Sequence, residues 1–122
     1  MSIAHIIKTY LKGWELGDGA LSLSVTAESF YYDDPNSGRI YRDQLVEFVE
    51  DFKRAGVAMG GEENAKPFLE YSDVVIKEDE LPVTVWCWWQ AVGTDLQGSA
   101  LVKVGEQGVL HEKIAYFSKL PD

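Results

Sequence analysis

Val83-Thr84-Val85-Trp86-Cys87-Trp88-Trp89-Gln90-Ala91-Val92 is the stretch whose reading decides how this chain folds. In an extended strand Val85, Cys87 and Trp89 point to one side and Trp86, Trp88 and Val92 to the other, so both sides carry large apolar groups. Such a strand belongs inside a sheet, with one face against helices and the other in need of cover. Three similar runs surround it: Phe68 to Lys77 before it, Gly98 to Val104 and Val109 to Phe117 after it. The separators, Glu78 to Pro82, Gly93-Thr94-Asp95 and Gly105-Glu106-Gln107-Gly108, are short and rich in turn formers, which predicts an antiparallel meander.

Upstream of Pro67 the period is helical. Ser2 is placed to cap a helix whose apolar residues, Ile3, Ile6, Ile7, Tyr10 and Trp14, share one face, and Gly17 is placed to end it. Ala20 to Thr26 is compatible with helix or strand by pattern, and the tight turn at Asp18-Gly19 favours a short helix. Ser29-Phe30-Tyr31-Tyr32-Asp33 reads as a short strand that stops at Asp34-Pro35-Asn36-Ser37-Gly38. A third helix follows from the stripe Tyr41, Leu45, Phe48, Val49 and Phe52, with Gly56 as its stop and Glu50–Arg54 as an i,i+4 pair. Val57 to Lys66 reads as a loop. Helices first and strands afterwards define an α+β chain, and the 122 residues form one domain, 1–122, with no room for a second.

Composition narrows the partners. Eleven basic residues against twenty acidic ones give a formal charge of −9, which repels phosphate backbones and anionic membranes, so neither nucleic acid nor membrane is an expected partner. The N-terminus lacks the basic and apolar sequence of a secretory signal, and a cytoplasmic location is the expectation. Cys87 is the only cysteine and sits among tryptophans, the setting of an inert buried thiol. His5 and His111 form no metal-binding pattern, and there is no glycine-rich phosphate loop, so neither metal nor cofactor is implied.

The segment Tyr10-Leu11-Lys12-Gly13-Trp14-Glu15-Leu16-Gly17-Asp18-Gly19, followed by Tyr32-Asp33-Asp34-Pro35, resembles the opening of the ketosteroid isomerases and SnoaL-like polyketide cyclases of the nuclear transport factor 2-like (NTF2-like) superfamily. Gly108 to Phe117 is similar to the superfamily's last strand, which commonly closes on an aromatic pair. The resemblance implies a cone-shaped, cystatin-like α+β roll in which three N-terminal helices pack on a curved, mostly antiparallel sheet and enclose a pocket.

It also implies roles. In the isomerases an aspartate before a proline shuttles a proton and a first-helix tyrosine donates to the developing oxyanion; Asp34 and Tyr10 match those positions. A carboxylate that loses hydration in an apolar pocket becomes a better base toward a carbon acid. Trp14, Phe30, Tyr32, Ala100, Val102, His111, Lys113 and Phe117 are implied as pocket residues, with His111, Lys113 and Phe117 on the inward parity of the last strand. Ala100 stands where the isomerases carry a second donor, and Ile114-Ala115 stands where the limonene epoxide hydrolases carry an Arg-Asp pair.

Two functions follow as expectations. One is a cofactor-independent isomerase-, cyclase- or lyase-type proton transfer on a small apolar molecule, with Asp34 as base. The other is a noncatalytic ligand-binding or dimeric assembly module. Each residue also has a plainer reading: Asp34 as a turn former, Tyr10 as packing, His111 and Lys113 as a solvated strand end, and Arg39 or Arg42 as a salt bridge at the start of the third helix. A homodimer is expected through Leu110, Ile114 and Tyr116 together with Trp86 and Trp88.

Overall fold

A computed structural model describes residues 1–63 and 67–117. The element order is α1 (Ile3–Leu16), α2 (Gly19–Leu23), β1 (Thr26–Asp34), β2 (Gly38–Tyr41), a 3-10 turn (Arg42–Gln44), α3 (Leu45–Ala58), β3 (Leu69–Lys77), β4 (Val83–Ala91), β5 (Gln97–Gly105) and β6 (Gly108–Tyr116). The six strands form one sheet in the order β2-β1-β6-β5-β4-β3. Every neighbouring pair is antiparallel except β1 and β6, which run parallel because the helix α3 and the whole meander separate them in sequence. This is the expected α+β roll.

Local chemistry sets the element ends. Ser2 Oγ accepts the His5 N–H at 3.1 Å and caps α1. Gly17, at φ 66°, closes α1 in the left-handed conformation that a glycine adopts without a Cβ clash. The short segment after it is indeed helical, and Ser22 Oγ donates to the Tyr10 carbonyl at 2.8 Å, clamping α2 on α1.

The third helix departs from expectation in three ways. Tyr41 stands at the head of the 3-10 turn and is largely exposed, outside the apolar stripe. Gly56 does not stop the helix; it lies inside it, where a Cβ would come within 2.9 Å of the Phe68 ring. Arg54 pairs with Asp51 at 2.6 Å, and Glu50 meets Lys53 at 3.8 Å, both at i,i+3 spacing. The loop expected over Val57 to Lys66 starts later, since α3 runs to Ala58; its residues 64–66 lie outside the described residues. The four-residue strand β2 had no separate signal. Its largely exposed run Gly38-Arg39-Ile40-Tyr41 pairs only with β1.

The core fills the concave side of the sheet. Val85, Cys87, Trp89, Ala100, Val102, Val104 and Ile114 meet Ile6, Ile7, Tyr10, Leu11 and Trp14 of α1 and Leu45, Val49 and Phe52 of α3. On the other side of β4, Trp86 and Trp88 remain 42% and 40% exposed, beside Val75 of β3. Among the described residues no helix is long and apolar enough to cross a membrane.

Strand β6 carries the detail that matters most for the site. Val104 pairs with Val109, yet Lys103 pairs with His111, so Leu110 is an extra residue, a β-bulge that shifts the alternation by one. Beyond the bulge Glu112 and Ile114 are buried, with Tyr116 on the same parity, and Lys113 and Phe117 are exposed. The expected parity is therefore reversed: His111, Lys113 and Phe117 face outward. Ile114 and Tyr116, expected on the dimer face, belong to the interior.

Candidate functional site

The bulge places a carboxylate in the middle of the concave face. Glu112 lies in a cross-sheet row between Tyr32 of β1 and Val102 of β5, with Val85 of β4 beyond. It is 2% exposed. From α1 above, the Tyr10 hydroxyl donates to Glu112 Oε1 at 2.5 Å. These residues are 102 positions apart, and only the packing of α1 on the sheet unites them.

Burial strips water from the Glu112 carboxyl and pushes its pKa up to about 7, while the Tyr10 hydrogen bond opposes the shift. The group therefore titrates near neutrality, the range in which a carboxyl can both take and return a proton. Tyr10 is held well above the ordinary phenol value, first by burial and then by the Glu112 charge, so it remains a neutral donor. Tyr32 and Tyr71 are raised for the same two reasons, in the same order.

An aromatic shell surrounds this pair. Trp14 stacks on Tyr32, with centroids 5.4 Å apart and planes 22° apart, and meets Phe52 and Phe48 edge-on at 5.7 and 6.3 Å. Trp14, Tyr32, Phe52, Leu69, Tyr71, Trp89, Glu112 and Ile114 border a cavity of about 10 Å³, room for a single water-sized group.

Asp34 is inward and buried, on the same face of β1 as Phe30 and Tyr32. Its carboxylate is already occupied. Oδ1 accepts the N–H groups of Asn36 and Ser37 at 2.7 and 3.0 Å, and Oδ2 accepts the Tyr116 hydroxyl at 2.7 Å. The turn-former reading of Asp34 describes these contacts, and Asp34 does not border the cavity.

The other expected residues divide. Tyr10, Trp14 and Tyr32 surround Glu112. Phe30 packs edge-on against Tyr10 at 6.0 Å, and Val102 pairs across from Glu112. Ala100 is buried between Cys87 and Ile114 and supplies no donor. Outside, His111 stacks on Tyr31 at 4.8 Å, Phe117 meets Trp88 edge-on at 6.1 Å, and Lys113 is exposed. Arg39 binds Asp33 through both carboxylate oxygens, at 2.8 and 3.1 Å, and holds its pKa below the usual carboxylate value. Arg42 donates to Thr26 Oγ1 at 3.0 Å. Burial raises the Cys87 thiol to about 12, which makes it inert as a nucleophile.

Glu112 is the site residue that sequence reading missed. A signal existed: Leu110, Ile114 and Tyr116 make its parity the more apolar one, and the more apolar parity of a half-buried strand faces inward.

Comparison with known proteins supports the architecture. No protein-family profile matches the chain, and no curated protein does. Solved structures do match. A "putative polyketide cyclase" from Xanthomonas campestris pv. campestris superposes with a TM-score of 0.65 at 16% identity, covering 94% of this chain and 90% of that one. An NTF2-like protein from Anabaena variabilis gives 0.65 at 14% identity, covering 96% and 88%. A protein of unknown function with a cystatin-like fold from Nostoc punctiforme gives 0.66 at 11% identity, covering 98% and 91%. The chain has the NTF2-like, cystatin-like fold, and at these identities the likeness speaks to fold alone.

Proposed function

We propose that the chamber between α1, α3 and the concave sheet binds a small apolar or aromatic molecule, and that Glu112, paired with Tyr10, moves a proton on it as a cofactor-independent isomerase or cyclase does. The observation that carries this reading is the 2.5 Å hydrogen bond from Tyr10 to a buried carboxyl whose pKa is about 7. Glu112 takes the role that the resemblance gave to Asp34, and Tyr10 keeps the one expected of it.

The step balances simply. Ionised Glu112 removes a proton from the carbon beside a carbonyl, the C–H pair becomes the C=C bond, and the carbonyl π pair moves to oxygen. Protonation makes Glu112 a weaker acceptor, which frees the Tyr10 hydroxyl to donate to the new enolate oxygen. Return of the proton to the same carbon completes an exchange; where a C=C bond lies next to that carbon, its π pair takes the proton at the far end, the enolate C=C becomes the bond between the two near carbons and the carbonyl re-forms, which completes an isomerisation. The test is deuterium exchange into the methyl group of acetophenone in D2O. Wild-type protein accelerates it, Glu112→Gln abolishes the acceleration, and Asp34→Asn keeps it. Loss in Asp34→Asn with retention in Glu112→Gln reverses the assignment.

The rival function is a noncatalytic ligand-binding or dimeric assembly module, and one observation favours its assembly form: the interior is closed down to about 10 Å³. The ligand-binding form predicts saturable binding with no exchange, and the assembly form predicts neither. In either case a homodimer is proposed through the outer face, where Trp86, Trp88 and Val75 are exposed.

A further inference from the structure

We infer that the open edge of β3 is a docking site for an extended peptide, apolar at its centre and basic at its ends, which adds to the sheet as a further strand. The site lies outside the chamber and does not depend on what the chamber does.

β3 ends the strand order, so one of its edges has no neighbouring strand. The start of that edge is closed: Phe68, just before the strand, donates its N–H to the Glu15 carbonyl near the end of α1, and Leu69 is buried. From Ser72 onward every residue of β3 is exposed, including Val74, Val75 and Ile76. The direction of the backbone groups follows from the pairing. The Val92 N–H donates to the Phe68 carbonyl and the Ala91 N–H to the Leu96 carbonyl, both at 2.9 Å, so alternate residues of β4 turn to β3 and to β5. Trp86 and Thr84, of the Val92 parity, pair with Val75 and Lys77, which leaves the Ile76 N–H and C=O directed to the open edge. Between Ser72 and Val75 the register slips, which sets Asp73 and Val74 opposite Cys87, a residue whose backbone is turned to β5. Asp73, Val74 and Ile76 thus present backbone donors and acceptors that β4 does not use, the template onto which a further strand pairs.

Charge selects the occupant. Glu70 and Asp73 on the strand and Glu78, Asp79 and Glu80 in the turn after it flank this stretch, and the ion pair described among them joins Glu80 to Lys77 at 3.6 Å. A second β3 would bring the same carboxylates against these, which opposes pairing of two copies along this edge. A peptide with lysine or arginine at its ends answers them, and the chain's charge of −9 draws it in. Its central side chains alternate across the strand, half of them beside Val75 on the outer face and half beside Val74 and Ile76 at the rim of the inner one.

The probe is an acetylated, amidated heptapeptide that alternates valine with threonine and carries lysine at each end, titrated into 15N-labelled protein. The expected result is slowed amide exchange at Val74 and Ile76, with binding about tenfold weaker for the same peptide ended by glutamate. Methylating each valine and threonine nitrogen of the peptide removes its donors and abolishes binding. Ile76→Pro abolishes it as well, a change that an edge strand accommodates. Because the methylated peptide is tested on the wild-type protein, the outcome does not hang on the folding of the proline variant. Unmoved β3 amides, undiminished binding of the methylated peptide, or equal affinity for the lysine- and glutamate-ended peptides overturns the inference. So does protection of Ile76 that grows with protein concentration before any peptide is added, which would assign the edge to a second copy of the chain.

Discussion

Tyr116 and Asp34 are joined by a 2.7 Å hydrogen bond from the phenol hydroxyl to Oδ2, linking the end of β6 to the end of β1. With Oδ1 holding the Asn36 and Ser37 amides, the aspartate organises the turn that sends the chain into β2. Asp34→Ala strands those donors and should cost on the order of 2 to 3 kcal/mol, and Tyr116→Phe about 1 kcal/mol. In urea denaturation the double variant should lose less than the sum, because both changes break the same bond.

The pKa of Glu112 sets a pH dependence of stability. Its folded value of about 7 lies above the ordinary 4.5, so the native state holds a proton that the unfolded chain has released between those values. The contribution is full below pH 4.5 and is lost as pH rises toward 7, amounting to on the order of 3 kcal/mol. Glu112→Gln keeps an acceptor for Tyr10 without the titration. Its urea midpoint should vary less between pH 5 and 8 than the wild-type midpoint; parallel curves would sink the assignment.

Gly56 permits α3 to approach Phe68. Alanine favours a helix by roughly 1 kcal/mol, but the added methyl would press on a ring already held edge-on by Phe52. We expect Gly56→Ala to lower stability by about 1 kcal/mol net, and Phe68→Leu in the same chain to recover part of the loss. Thermal unfolding of the two variants measures this.

Trp86 and Trp88 present apolar surface that a second copy of the chain would cover. Sedimentation at low micromolar concentration should give a dimer for the wild type and a monomer for Trp86→Glu/Trp88→Glu. A monomeric wild type counts against the interface.

Much of the fold was legible because it rests on local pattern. The 3.6 period of α1, the stop at Gly17 and the turn-bounded runs of the meander all reappear as elements. What the sequence concealed depends on distant contacts. Gly56 reads as a stop until Phe68 is seen against it. Strand β2 is too short and polar to announce itself without β1 as its partner. Of the candidate site, Tyr10, Trp14 and Tyr32 were legible as one-face residues of the first helix and first strand, with their roles implied by the family resemblance alone. Glu112 was not, because His111-Glu112-Lys113 looks like a solvated strand end wherever the alternation is assumed unbroken.

Leu110 gives that broken alternation a wider meaning. Excising this one residue would join Val109 opposite Val104, His111 opposite Lys103 and Glu112 opposite Val102 into one unbroken register and would leave the acid where it is. The extra residue is slack taken up at the hairpin end of the strand: the turn lengthens by one position while every side chain that meets the helices keeps its place.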